Sequence, residues 1–191
     1  MNDRPGWDTI NGAAGISKRR RENVMSRTVT MKGNPVTLAG KEIRAGDPAP
    51  DFSSLMGPGM KKSLSDFAGK VKIFNVIVSV DTPVCDVQTK RFSEEIKSLP
   101  GDVEVITVSM DLPFAQSRYI KDGCIEGVSC LSDHSEASFG RAYGVLIEEN
   151  RLLARAVFVV DKDNVVRHAQ YVGEIAEEPD YMAVLESVKS L

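Results

Sequence analysis

The sequence contains few cysteines, no excess of basic residues and no long apolar segment near its start. Three cysteines among 191 residues do not suit a secreted domain held together by disulfides. A formal net charge of −3 argues against a general binder of nucleic acids or membrane surfaces, because such proteins usually carry a basic excess. The first 24 residues lack the continuous apolar stretch of a secretion signal or membrane anchor. We therefore expect a cytoplasmic protein in a reducing compartment.

The first 24 residues differ in composition from the remainder of the chain. They hold glycine, proline and the single tryptophan, Trp7, with five basic residues against three acidic ones. The basic run at residues 18–21 is typical of a solvated charged segment. Met25 resembles a second beginning of the chain. We expect residues 1–24 to be a disordered extension and residues 25–191 to form one domain, since 42% hydrophobic residues suffice for one core.

Strand-like and helical patterns alternate along the rest of the chain. A β-hairpin is predicted around the turn at residues 32–35, and a short strand near Phe52. Longer strands are predicted at residues 71–78, 103–109, 154–160 and 165–172, and helices near residues 84–98, 114–122, 135–142 and 180–190. This order predicts an α/β fold in which helices cover both faces of a central mixed β-sheet.

The stretch "DTPVCDVQ" places a cysteine at a predicted helix start. Thr82 suits the N-cap and Pro83 the first helical position, so Cys85 falls at the third position. There its sulfur lies near unpaired backbone N–H groups and the positive end of the helix dipole, which stabilise a thiolate. Asp86 opposes ionisation, so we expect a nearby cation. We interpret Cys85 as a reactive thiolate, with a buried structural cysteine as the alternative.

The residues around Cys85 exclude several kinds of thiol chemistry. Gln88 stands where a Cys-x-x-Cys motif has its second cysteine, which excludes dithiol exchange within this turn. Neither histidine lies in a recognisable nucleophile motif, which disfavours a cysteine hydrolase. A metal site formed by Cys124, Cys130 and His134 matches no standard zinc spacing and lacks a fourth ligand. Peroxide reduction needs only a thiolate, a hydroxyl that orients the oxygen atoms and a cation.

Seven segments occur in the order "MKGNPVTLAG", "AGDPAPDF", "VDTPVC", "SMDLPFAQSR", "LSDHSEASFGRAYGV", "LLARAVFVVD" and "EEPDYMAVL". In this order and spacing the chain from about residue 25 to residue 191 resembles the thiol peroxidase family of atypical two-cysteine peroxiredoxins. The resemblance implies a thioredoxin-like fold with an N-terminal β-hairpin, a homodimer and no cofactor or metal. It also implies that the protein reduces hydrogen peroxide and organic hydroperoxides, with thioredoxin as the reductant.

The resemblance assigns roles to individual residues. It implies that Cys85 is the peroxidatic nucleophile, that Thr82 orients the peroxide as well as capping the helix, and that Arg155 stabilises the thiolate and the transition state. Arg155 begins a predicted apolar strand, where an unpaired charge is costly, so a thiolate partner accounts for it physically. An arginine exposed at the sheet edge is the alternative.

The chain departs from the family at two positions. Val78 stands seven residues before Cys85, where the family usually has proline, so we expect a less tightly walled pocket. Ile120 occupies the position of the resolving cysteine. Our candidate resolving cysteine is Cys124, which lies one helical turn further on in a stretch that we expect to be mobile. Cys130, in a strand-like segment, is the poorer candidate.

Two alternatives to this cycle stay open. One is a one-cysteine peroxidase, whose oxidised Cys85 is reduced directly by an external thiol. The other is a non-catalytic redox-sensing module that keeps the fold and uses Cys85 only as a signal. The presence of Thr82, Cys85 and Arg155 together favours an enzyme, since a pure scaffold has no physical reason to retain all three.

Overall fold

The computed structural model describes residues 27–191, so the expected extension over residues 1–24, with Trp7, lies outside the described residues. The strands are β1 (Arg27–Met31), β2 (Asn34–Ala39), β3 (Ser54–Leu55), β4 (Lys61–Lys62), β5 (Val71–Val76), β6 (Val103–Ser109), β7 (Val128–Ser132), β8 (Leu146–Ile147), β9 (Ala156–Val160) and β10 (Val166–Tyr171). The helices are α1 (Pro83–Glu95), α2 (Pro113–Asp122), α3 (Ser138–Ala142) and α4 (Tyr181–Lys189), with 3₁₀ turns at Leu64–Phe67 and Ile96–Ser98.

The main sheet has seven strands in the order β10-β9-β5-β6-β7-β3-β4. Strands β5, β6 and β7 are parallel, and β9 runs antiparallel to β5. Every residue of β5 and of β9 is buried, because both strands lie inside the sheet with packing on both faces. The predicted central mixed sheet is therefore confirmed.

Helices cover both faces of this sheet, as predicted. Successive side chains of β5 point to opposite faces. On one face Ile73 packs with Phe92 of α1 and Tyr181 of α4. On the other face Phe74 packs against Phe139 of α3, with ring centroids 5.3 Å apart. Burial of a side chain of this size contributes roughly 1.5–3 kcal/mol, so these two layers supply much of the driving force for folding.

The predicted element order omits β4, β7 and β8. Strands β4 and β8 have two residues each, which is too short for a recognisable periodic pattern. Strand β7 lies between β6 and β3 and contains Cys130. Its segment is strand-like in sequence but is not among the longer strands predicted. Its serines interrupt the apolar pattern that identifies the other buried strands. Of the helices in residues 27–191, none combines the length and apolar character needed to cross a bilayer.

The predicted N-terminal hairpin is present and is held down by a carboxylate. Strands β1 and β2 are joined by Lys32 and Gly33, with φ values of 53° and 77°, and form a three-stranded sheet with β8. The carboxylate of Glu174 accepts hydrogen bonds from the N–H groups of Lys32 and Gly33, both at 2.9 Å. Backbone N–H groups of Gly33, Ala176 and Lys32 lower the pKa of Glu174 to about 2.

We expect Glu174→Gln to reduce thermal stability at neutral pH and to flatten its dependence on pH in the acid range. A carboxyl whose folded-state pKa is lowered stabilises the fold above its unfolded pKa of 4.5, and that contribution disappears as the pH falls towards 2. Melting temperatures measured across this range test the expectation. Glu177→Gln is the matched control, because its exposed carboxylate accepts no hydrogen bond in the described part of the chain. Identical pH profiles for Glu174→Gln and the wild type would contradict it.

Candidate active site

The start of α1 places Cys85 as predicted. Thr82 is the N-cap residue in an extended conformation, with φ −108° and ψ 140°, and Pro83 is the first helical residue. The N–H of Asp86 donates to the carbonyl oxygen of Thr82 at 3.0 Å, which closes the first turn. Cys85 is therefore the third helical residue, and its side chain is fully buried. Its sulfur lies at the positive end of the helix dipole.

The hydroxyl of Thr82 does not cap the helix, which corrects one part of the prediction. Its Oγ1 makes no hydrogen bond to the helical N–H groups and instead donates to the carbonyl oxygen of Ser79 at 3.1 Å. A hydroxyl that donates its proton keeps its lone pairs available as acceptors. Thr82 Oγ1 can therefore accept a hydrogen bond from a molecule bound beside Cys85.

Arg155 lies against Cys85 inside the protein. It immediately precedes β9, is only 2% exposed, and directs Nη2 to the sulfur of Cys85 at 3.5 Å. Its Nε donates to the carbonyl oxygen of Ile175 at 2.8 Å, and Nη1 donates to Gln88 Oε1. The alternative of an exposed arginine is therefore wrong. No acidic side chain in residues 27–191 forms a salt bridge with Arg155, and the sulfur of Cys85 is in contact with its guanidinium.

A buried polar network behind Arg155 is absent from the sequence-based prediction. Gln88 Nε2 donates to Asn75 Oδ1, and Asn75 Nδ2 donates to the hydroxyls of Thr107 at 2.9 Å and Thr89 at 3.2 Å. All four of these polar residues are fully buried. One signal for the network is present in the sequence, because an asparagine in the middle of the apolar run "VKIFNVIV" needs a partner.

A pocket of 270 Å³ opens beside this cluster. Thr82, Arg155 and Lys32 supply its polar lining, while Met31 of the hairpin, Val78 and Ile175 supply apolar walls. Val78, at the position where the family usually has proline, is therefore a wall residue of the pocket. Cys85 does not itself line the pocket, but its sulfur lies 3.5 Å from Nη2 of Arg155, so the hydroxyl and the cation that a small molecule would meet in the pocket lie next to the thiol.

Cys124 does not lie in this cluster. Helix α2 ends at Asp122 with Gly123 as its C-cap, as predicted, and Cys124 follows as an exposed free thiol with a φ of 49°. Two residues later, the carbonyl oxygen of Glu126 accepts a hydrogen bond from Ser93 Oγ at 2.6 Å. Ser93 is eight residues beyond Cys85 on α1, which corresponds to roughly 12 Å along the helix axis. A disulfide between the two cysteines therefore requires local rearrangement.

Cys130 is held in the sheet, as predicted. It lies in β7 opposite Thr107 of β6, and burial, with a smaller effect of Asp111, raises the pKa of its thiol to about 12. Cys130 is thus a protonated, poorly nucleophilic thiol at neutral pH. In residues 27–191 no group of three His, Cys, Asp or Glu side chains is arranged to hold a metal ion. Nδ1 of His134 lies 2.8 Å from the hydroxyl of Ser132.

Comparisons with known proteins identify the family of this chain. The Redoxin family model matches residues 44–185. The thiol peroxidase of Oceanobacillus iheyensis is 52% identical over 157 residues, which cover 82% of this chain and 95% of that protein. The thiol peroxidase of Bacillus subtilis is 52% identical over 163 residues, which cover 85% of this chain and 97% of that protein.

Solved structures show the same fold. A peroxiredoxin-like protein from Aquifex aeolicus, 42% identical, aligns with a TM-score of 0.79 and covers 86% of this chain and 97% of its own. A thiol peroxidase from Chromobacterium violaceum, 21% identical, has a TM-score of 0.79 over 85% of this chain and 95% of its own. This second structure shows that the fold is shared at a lower sequence identity. The thioredoxin-like fold and these relatives place the chain in the peroxiredoxin class. The chain belongs to the Redoxin family, and within it to the thiol peroxidases, which are thiol-dependent peroxidases of the peroxiredoxin type.

Proposed function

We propose that this thiol-dependent peroxidase reduces hydrogen peroxide and organic hydroperoxides with Cys85 as the peroxidatic nucleophile. The observation that supports this role most directly is the 3.5 Å contact between Arg155 Nη2 and the sulfur of the buried Cys85. A buried guanidinium without a carboxylate partner is costly unless another anion balances it. The thiolate of Cys85 is that anion.

Attack on the peroxide follows from the positions of three side chains. The Cys85 thiolate attacks the outer oxygen of the hydroperoxide, so that the S–O bond forms while the O–O bond breaks. The leaving oxygen takes a proton from solvent and departs as water or an alcohol, and sulfur is oxidised by two electrons to a sulfenic acid. Thr82 Oγ1, with its proton committed to Ser79, accepts the O–H of the peroxide and orients it. Arg155 stabilises the negative charge that spreads over the reacting oxygens.

Cys124 is our proposed resolving cysteine. Its thiolate attacks the sulfur of oxidised Cys85, the S–O bond breaks, and the leaving hydroxide takes a proton from solvent to become water. The intramolecular disulfide that forms is then reduced by the two thiols of thioredoxin, which supply two electrons. Cys124 is exposed and lies just after a helix, which supports movement of its segment, whereas Cys130 is partly buried in β7 and the pKa of its thiol is raised. The first turn of α1 has to unwind, and this breaks the 3.1 Å hydrogen bond from the Tyr119 hydroxyl to Asp86.

We also propose that the protein is a cytoplasmic homodimer with residues 25–191 as its catalytic domain, as expected from the sequence. Exposed apolar side chains on and just before the two helices next to Cys85 support a protein partner surface there. Val87 of α1 is 49% exposed, Leu112 is 52% exposed and Phe114 of α2 is 67% exposed. Light scattering of the full chain measures the assembly. A monomer at all concentrations would refute the dimer and leave the peroxidase chemistry intact.

Peroxide consumption coupled to thioredoxin, thioredoxin reductase and NADPH tests the function. We expect turnover with hydrogen peroxide and with an organic hydroperoxide, and we expect it to depend on thioredoxin. Turnover with a small external thiol but not with thioredoxin would instead favour the one-cysteine peroxidase. Absence of turnover with every reductant, together with reversible oxidation of Cys85, would favour the redox-sensing module.

We expect one equivalent of hydroperoxide to link Cys85 to Cys124 within one chain. Peptide mapping without reduction identifies the link, and gel migration distinguishes bonds within a chain from bonds between chains. Cys124→Ser should trap the sulfenic acid on Cys85, while Cys130→Ser should leave the link unchanged. A sulfenic acid that persists in the wild type, or a link from Cys85 to Cys130, would overturn the assignment of Cys124.

A further inference from the structure

We propose that Asp111 is a positioning residue, which fixes the loop before α1 and thereby sets the direction of the Thr82 hydroxyl. This inference deepens the proposed function and rests on it, because it concerns the hydroxyl that orients the peroxide beside Cys85. Asp111 lies two residues after β6, and its carboxylate reaches the neighbouring loop that connects β5 to α1. It therefore acts on the site through Thr82.

Both oxygens of the Asp111 carboxylate bind the loop between β5 and α1. Oδ1 accepts a hydrogen bond from the hydroxyl of Ser79 at 2.8 Å, and Oδ2 accepts one from the backbone N–H of Val80 at 2.9 Å. Oδ2 also accepts the hydroxyl of Ser109, the last residue of β6, at 2.7 Å. Because hydrogen bonds to a carboxylate are stronger than those between neutral groups, these contacts tie the loop firmly to the end of a buried strand.

The N–H of Val80 and the carbonyl group of Ser79 belong to the same peptide unit. This unit is planar and trans, so its N–H and its carbonyl oxygen point in opposite directions. Asp111 holds the N–H on one side of the peptide. On the other side, the carbonyl oxygen of Ser79 accepts the hydroxyl of Thr82 at 3.1 Å and the N–H of Thr82 at 3.3 Å. Asp111 therefore fixes the acceptor to which Thr82 donates.

The direction of the Thr82 proton decides what its hydroxyl can do. While the proton is donated to Ser79, the lone pairs of Oγ1 stay free to accept the O–H of a peroxide in the pocket. If the peptide between Ser79 and Val80 rotates, the hydroxyl loses its acceptor and can turn its proton into the pocket. It then no longer accepts the O–H of the peroxide, and the peroxide is not oriented for attack by Cys85.

The test is a double-mutant cycle of Asp111→Ala and Thr82→Val, read as the rate of Cys85 oxidation by hydrogen peroxide. Quenched-flow samples of the full chain are analysed by peptide mass spectrometry. We expect Asp111→Ala to slow oxidation about tenfold when Thr82 is present, which corresponds to the loss of one hydrogen bond in the transition state. In the Thr82→Val protein there is no hydroxyl to direct, so Asp111→Ala should change the rate less than about twofold.

Two further measurements separate positioning from a general loosening of the site. Alkylation of Cys85 by iodoacetamide needs the thiolate but not the hydroxyl of Thr82, so its rate in Asp111→Ala should stay within about twofold of the wild type. Asp111→Asn removes the negative charge but keeps an oxygen that can accept the N–H of Val80. It should therefore restore most of the rate of peroxide attack that Asp111→Ala loses.

Asp133→Ala is the matched control. Asp133 follows β7 as Asp111 follows β6, and its carboxylate also accepts one serine hydroxyl, that of Ser54, at 2.9 Å. Its other donors are two backbone N–H groups of α3, at 3.0 and 2.8 Å, on the opposite side of the sheet from Cys85. Asp133→Ala should lower the melting temperature at least as much as Asp111→Ala does while keeping the rate of peroxide attack. A merely structural role of Asp111 predicts that the rate follows the melting temperature in both variants.

An additive cycle, in which Asp111→Ala slows the reaction equally with and without the Thr82 hydroxyl, would overturn the inference. A wild-type rate of oxidation in Asp111→Ala, or an equal loss of alkylation, would also overturn it. If Asp111→Ala does not fold, Ser79→Ala takes its place in the cycle, because it removes the hydrogen bond to Oδ1 and keeps the carbonyl group that Thr82 uses. Absence of Cys85 oxidation in the wild type would refute the proposed function and this inference with it, whereas normal wild-type oxidation with an additive cycle refutes the inference alone.

Discussion

Cys85→Ser is expected to reduce peroxide consumption below detection. The hydroxyl of serine stays protonated at neutral pH, even beside Arg155 at the start of α1, so it cannot replace an ionised sulfur nucleophile. The exchange of sulfur for oxygen changes the volume of a fully buried site only slightly, so we expect the fold to be retained. The coupled NADPH assay at neutral pH measures the loss.

Cys130→Ser is the control for this result. It exchanges the same atoms at another shielded cysteine, in β7 and away from Arg155, and should keep most of the activity. Circular dichroism of both variants establishes that they are folded. Appreciable turnover by Cys85→Ser would remove Cys85 as the nucleophile and with it the whole proposed cycle.

Arg155→Ala is expected to slow the attack on peroxide by about 10²–10³-fold, the usual cost of removing a donor that stabilises charge in a transition state. Less of Cys85 should be ionised at neutral pH, because the guanidinium 3.5 Å from its sulfur is gone. The carbonyl oxygens of Gln88 and Ile175 also lose their donor, which costs roughly 1–3 kcal/mol of stability for each unsatisfied buried group. Stopped-flow kinetics measures the attack, and thiolate absorbance against pH measures the ionisation.

Arg155→Lys separates the charge from the geometry of the guanidinium. Lysine keeps the positive charge, but a single ammonium group cannot meet Ile175, Gln88 and Cys85 from one rigid fork. We therefore expect a rate between those of Arg155→Ala and the wild type. Lys32, the other basic residue at the pocket, provides the comparison. An unchanged thiolate titration in Arg155→Ala, with a changed one in Lys32→Ala, would place the essential cation on the hairpin.

Local sequence determined the parts of this protein that depend on neighbours in the chain. A threonine followed by proline marks a helix start, and this alone places Cys85 at the third position of α1. The apolar runs predict β5, β6 and β9 to within about two residues, because these segments are buried almost throughout. Strand β10 is predicted as closely, although most of its residues are only partly buried. The hairpin turn predicted at residues 32–35 is formed by Lys32 and Gly33 alone, both at positive φ, while Asn34 and Pro35 already belong to β2.

The functional contacts were decided by the tertiary structure, because they join residues far apart in the chain. Arg155 meets Cys85 across 70 positions, and Asn75 meets Thr107 across 32, through the pairing of separate strands. No local pattern encodes such pairs. The family resemblance indicates Arg155 but not its burial. In the sequence Gln88 only marks a missing cysteine, whereas in the structure its side chain accepts a hydrogen bond from Arg155. Even the hydroxyl of Thr82, which local rules assign to the helical N–H groups, instead donates to the carbonyl oxygen of Ser79 in the loop before α1.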